Sequence, residues 1–228
     1  MIPFDPSDPF PLLAASAADY AEAQAHSEKT DAWLGLKTHS TENEITRSQP
    51  LEKRTPDQQL WIELPVKTLL TPYTEIRDLL ERLAPPPGST MVDLGAGYGR
   101  MAFVIARHFP DVRFIGYEYV RPRVLEAQRC LKLFCPSAFS SGKISVEEAD
   151  LSTASFRPAP AEFYFLYDFG SRSAIDKCLH DLRGIARSRA ITVVGRGRSS
   201  RDAIERAHPW LSQIHAPEHF AHSSIYRS

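Results

Sequence analysis

From Thr90 to Val194 the chain repeats one pattern: a short apolar run, a turn, then an amphipathic stretch of helical periodicity. Strands spaced this way need crossover connections, which implies a parallel sheet covered by helices on both faces. The runs are Thr90–Leu94, Phe114–Glu118, Ile144–Glu147, Phe163–Tyr167 and Ala190–Val194, with helices predicted over 101–109, 123–134 and 174–186. Ahead of them, Ile76, Leu79, Leu80 and Leu83 recur at i, i+3, i+4 and i+7. They follow Thr71-Pro72, which reads as an N-cap with proline at the first helical position, and Pro85-Pro86-Pro87-Gly88 ends the helix. Weaker strand candidates at 211–215 and 223–226 would add an antiparallel pair. The expected fold is therefore α/β, a doubly wound, mostly parallel, seven-stranded sheet with helices on both faces.

The first sixty residues differ in character. An alanine-rich stretch from Leu12 to Ala25 predicts one weakly amphipathic helix, and Lys37 to Gln59 is polar and free of aromatics, as in an exposed connection or a lid. Residues 1–59 are accordingly read as an N-terminal helix with a flexible lid or linker, and 60–228 as the main domain. The 228 residues carry 27 Lys+Arg against 28 Asp+Glu, a formal net charge of −1. That balance draws the protein neither to nucleic acid nor to an anionic membrane. Arginines between Arg183 and Arg206 form the one basic region, but Asp202 and Glu205 interrupt it, as in a solvated helical face. Three cysteines without a CxxC pair argue against disulfides or a zinc ribbon, and the histidines lack HExxH spacing, so no metal is expected. The acidic, proline-rich start is a poor secretion signal and no run approaches ~20 apolar residues, which together point to a cytoplasmic protein.

The richest chemistry lies in Asp93-Leu94-Gly95-Ala96-Gly97-Tyr98-Gly99, between the first strand and its helix. A dinucleotide fingerprint starting at Gly95 would need glycine at position 100, where the chain has Arg100. Alternate glycines let a backbone turn sharply and approach a ligand closely, with helix N-terminal N–H groups facing an anionic group. Glu118 ends the second strand 21 residues after Gly97, where an acid can accept hydrogen bonds from two ribose hydroxyls. Asp150 follows the third strand in Glu147-Glu148-Ala149-Asp150-Leu151.

This combination resembles motif I and its companion acids in the class I S-adenosylmethionine-dependent methyltransferases, which have a Rossmann-like fold. The resemblance implies S-adenosylmethionine as cofactor, bound by Asp93, Gly95, Ala96, Gly97, Gly99, Glu118, Tyr119, Asp150 and Leu151. Tyr119 would pack on the adenine or simply on the surface, and Asp150, with Glu147 and Glu148 as competing acids, would meet its amino group. Asp93 would either contact the cofactor or only order the turn.

Acceptor chemistry belongs beyond the fourth strand, which ends Tyr167-Asp168-Phe169-Gly170 rather than in an NPPY-type tetrapeptide. Asp168 is a candidate to orient or deprotonate an amine, its alternative being an N-cap for the helix after Ser171. Tyr73 could belong to a segment folding over the cofactor, or simply pack its helix. The stretch from Pro65 to Gly197, with Gly116-Tyr117-Glu118, Asp150-Leu151 and Phe169-Gly170, resembles the non-SET protein-lysine methyltransferases, including the nucleosomal histone and mitochondrial ATP-synthase c-subunit types. It implies methyl transfer to a protein lysine or another nitrogen nucleophile, with a small-molecule acceptor or a noncatalytic binding subunit as alternatives. The chain lacks the membrane segment of the mitochondrial enzymes and a long basic tail, so neither of those substrates carries over.

Overall fold

The computed structural model describes residues 1–13, 19–48 and 65–228. Helices α1 (Tyr20–Leu34), α2 (Thr38–Ser48), α3 (Val66–Leu69) and α4 (Tyr73–Leu83) precede the sheet. Within it, β1 (Thr90–Leu94), β2 (Arg113–Glu118), β3 (Ile144–Glu148), β4 (Phe163–Tyr167) and β5 (Thr192–Arg196) run parallel. Their connections carry α5 (Arg100–His108), α6 (Arg121–Phe134), α7 (Pro136–Ser140) and α8 (Arg172–Ala186). After α9 (Arg198–Ala207), β6 (Glu218–His219) and β7 (Ser223–Arg227) complete a seven-stranded sheet of order β3-β2-β1-β4-β5-β7-β6, with β7 antiparallel to both neighbours. The order reverses between β1 and β4, which makes their carboxyl ends the switch point where ligands bind in such sheets.

Period-two alternation builds a core on each face. Met91, Phe114, Phe163 and Phe165 pack with Ile76 and Leu80 of α4, Phe103 of α5 and Leu131 of α6. Val92, Ile115, Tyr164 and Leu166 turn the other way, onto Ile175, Leu179 and Leu182 of α8 and Ile204 of α9.

The departures from the sequence reading cluster where the apolar pattern is weak. The first helix occupies Tyr20–Leu34 rather than 12–25, because Asp19 caps it by accepting the Glu22 N–H at 2.8 Å and Gly35, at φ 67°, ends it. Residues 14–18 of the expected helix lie outside the described residues. The stretch read as a connection or lid contains α2, whose Thr38, Thr41, Glu42 and Ile45 are buried; residues 49–59 lie outside the described residues. Polar composition misled there because Glu42 is satisfied by partners inside the fold. The N-cap of α4 is Pro72 rather than Thr71 and makes no side-chain bond. Pairing of Phe163 with Thr192 starts β5 two residues later than expected. Leu211 closes a short 3-10 turn, so the partner of β7 is β6 rather than 211–215.

Candidate functional site

The loops leaving β1, β2, β3 and β4 converge at the carboxyl edge of the sheet. The turn after β1 is pinned to β2: the N–H groups of Gly95 and Ala96 both donate to the Tyr117 carbonyl, at 2.9 and 2.8 Å. Gly95 and Gly97 sit at φ 93° and 55°, a region that disfavours side chains. At Gly95 the demand is also steric, since a Cβ there would lie 2.3 Å from the Phe169 Cβ in the loop after β4. The first and fourth strand exits thus interlock. Gly116 answers to packing too, because a Cβ would meet the Ala96 Cβ at 2.7 Å.

Glu118 is buried at the end of β2. Its Oε2 accepts the Gly97 N–H at 2.9 Å and its Oε1 the Val120 N–H at 2.8 Å. Each carboxylate oxygen keeps a further lone pair, so the group can still accept from a vicinal diol. The Arg123 Nη1 lies 3.8 Å from Oε1.

A cavity of about 920 Å³, counted to its solvent mouth, opens over this edge. Gly95, Gly97, Glu118, Tyr119, Asp150 and Leu151 line it, so the structure brings six of the sequence-selected residues together. Asp150 holds its own loop, accepting the Ser152 N–H at 2.9 Å. Tyr119 stands at the rim, 42% exposed. Asp93 and Ala96 line a smaller neighbouring cavity with Leu70, Arg100 and Tyr167. Asp93 is buried with its Oδ1 unpartnered. Burial, assisted by the charge of Glu118, pushes its carboxyl up to about 8.

Three selected residues stand elsewhere. Gly99 caps α5 at φ 70° and faces the Val146 side chain, a packing position between helix and β3. Tyr73 is fully buried; its hydroxyl donates to Asp31 at 2.7 Å, and Arg100 lies over its ring at 4.9 Å. Burial and the Asp31 carboxylate push its phenol well above the usual range. Asp168, at φ 32°, turns away from the cavity and holds the start of α9, its carboxylate accepting from the Ser200 N–H at 2.7 Å, the Ser200 hydroxyl at 2.8 Å and the Ser199 N–H at 3.3 Å. The helix after Ser171 is capped instead by Ser171, which accepts the Ala174 N–H. This geometry favours structural roles for Tyr73 and Asp168, the residues singled out for catalysis.

Sequence reasoning missed Leu69, Leu70, Arg123 and Tyr167, all of which line the larger cavity. Tyr167 had a signal, as the last residue of the fourth apolar run. Its hydroxyl donates to the Thr68 carbonyl at 2.9 Å, and the Arg196 guanidinium lies 4.2 Å from its ring centre. Arg123 had none, because only the fold brings α2 against it.

No family model and no curated protein matches the chain. Solved structures resemble its fold. TrmN from Thermus thermophilus matches with a TM-score of 0.50 at 15% identity, over 70% of this chain and 48% of its own. The chain has the class I methyltransferase fold. An RNA methyltransferase from Salinibacter ruber, solved with S-adenosyl-L-homocysteine, gives 0.48 at 21% identity over 69% and 91% of the two chains. Precorrin-6y C5,15-methyltransferase from Geobacter metallireducens gives 0.49 at 16% over 72% and 90%. The chain spans about half the length of the Thermus protein. These comparisons lend no support to the expectation that nucleic acid is an unlikely partner. No helix among the described residues is long and apolar enough to cross a membrane.

Proposed function

We propose that the protein is an S-adenosylmethionine-dependent methyltransferase acting on a nitrogen nucleophile, with a protein lysine as the leading acceptor. The observation that supports the cofactor is the buried Glu118 carboxylate, held by two backbone N–H groups in the wall of the cavity beside a glycine turn. The residues present fit the group. Glu118 would accept the ribose hydroxyls, Tyr119 and Leu151 would flank the adenine, Asp150 would meet its amino group, and the turn from Asp93 to Gly97 would receive the methionine end. Bound there, the cofactor supplies an electrophilic methyl group on a sulfonium.

The chain's own task is alignment and exclusion of water. Leu69, Leu70, Tyr167 and Phe169 form the apolar side of the cavity at the β4 exit. The carboxylates lining it, Glu118 and Asp150, stand on the nucleoside side, and Asp168 is tied to α9. A substrate amine, with an ordinary pKa of ~10.4, would therefore lose its proton to water at the open mouth. The lysine assignment itself rests on the Gly-Tyr-Glu, Asp-Leu and Phe-Gly resemblance.

A small-molecule acceptor is the second reading, favoured by the apolar side chains of Leu69, Leu70 and Phe169 in the cavity wall. Incubating the protein with labelled S-adenosylmethionine and cell extract, then separating protein, RNA and small molecules, tests both. Label on protein lysines supports the first reading and label in the small-molecule fraction the second. Label in RNA would overturn both acceptors. Cofactor binding without label in any fraction would mark a noncatalytic subunit.

A further inference from the structure

The N-terminal helices each send one buried carboxylate to an arginine flanking the glycine turn. Asp31 of α1 pairs with Arg100 at 2.5 Å, and Glu42 of α2 takes Arg123 in a two-bond fork, with Nε to Oε1 at 2.7 Å and Nη2 to Oε2 at 3.0 Å. Glu42 also accepts the hydroxyl of Tyr98, inside the turn itself, at 2.7 Å. Glu42, Arg123 and Glu118 are all buried, and Tyr98 is fully enclosed.

The fork fixes two of the guanidinium's nitrogens. With Nε and Nη2 committed to Glu42, Nη1 stands 3.8 Å from the Glu118 Oε1, too far for a hydrogen bond. The guanidinium lends Glu118 its charge without occupying the oxygens, whose other lone pairs stay available beyond the bonds from Gly97 and Val120. We infer that Glu42 is a positioning residue for cofactor recognition: it holds Arg123 off Glu118 and so keeps that carboxylate open to the ribose hydroxyls. The inference rests on the cofactor reading above. A planar five-donor guanidinium held less firmly by Glu42 can swing its Nη1 closer to Glu118 and compete with the diol.

The readout is ribose discrimination, the ratio of affinities for S-adenosylhomocysteine and for its analogue lacking the 2′ and 3′ hydroxyls, measured by calorimetry on the full chain. In Glu42→Gln that ratio should fall about tenfold, the worth of one hydrogen bond to a charged acceptor, while affinity for the dideoxy analogue stays near wild type. Equal weakening of both ligands would show a merely structural role and overturn the inference, as would an unchanged ratio. Arg123→Lys, which keeps the charge but cannot form a fork, provides the same reading if Glu42→Gln does not fold. Its ratio should fall too, and an intact ratio would overturn the inference. A wild-type ratio near one would overturn the cofactor reading itself, and this inference with it.

Discussion

Asp93 offers the sharpest thermodynamic test. It is buried, its Oδ1 has no partner, and its carboxyl is pushed up to about 8. In the unfolded chain the same group titrates near ~3.9. The folded state therefore holds a proton that the unfolded state releases, so the contribution to stability is complete below ~3.9 and is lost as pH rises through about 8. At ~1.36 kcal/mol per unit, wild type should lose about 3 kcal/mol relative to Asp93→Asn between pH 5 and pH 7.5. Asparagine keeps the shape and does not titrate, so its own burial cost is the same at both values. The assay is urea unfolding of both proteins across that interval, with the difference in unfolding free energy plotted against pH. A flat difference would refute the claim that Asp93 is protonated in the folded protein, and with it the view that burial governs this carboxyl.

Glu118→Ala should weaken S-adenosylhomocysteine binding by about 2–4 kcal/mol, the loss of two hydrogen bonds to a charged acceptor with water replacing part of them; unchanged affinity in a protein with wild-type circular dichroism would remove Glu118 from the site. Gly97→Val should abolish that binding, since the position sits at φ 55° and its Cβ would press on Leu70 at 3.3 Å before any further branch is added. Wild-type affinity there would contradict the close approach of ligand to backbone. Asp168→Asn should leave single-turnover methyl transfer near wild type, because asparagine caps helices about as well as aspartate and tolerates the left-handed backbone. A fall of ~10²–10⁴-fold would return Asp168 to acid–base chemistry.

The parts of the fold legible in the sequence are those where one face of an element repeats. The five parallel strands and the helices α5, α6 and α8 between them follow from apolar spacing and from turn residues. Glu118 and Asp150 were legible as well, because each is an acid at a strand exit. The N-terminal helices were not. Asp31 and Glu42 look like solvent-facing acids in polar surroundings, and only the fold reveals the arginines they meet, 69 and 81 residues away. The reading of Asp168 as a cap for α8 failed for a related reason: it rested on neighbours in sequence, whereas Ser171 caps that helix and hydrogen bonds of Asp168 run to the next helix along. Side chains whose partners are distant in sequence leave no local pattern.

The two carboxylate clamps bear on how this protein can be handled as material. A shortened version beginning at residue 60 would retain every strand, the glycine turn and Glu118. It would also strip Arg100 and Arg123 of Asp31 and Glu42 and lay open the faces of α4 and α6 that α1 and α2 contact. Trimming for crystallisation or for fusion to other proteins should therefore begin upstream of Asp19, so that α1 and α2 travel with the sheet.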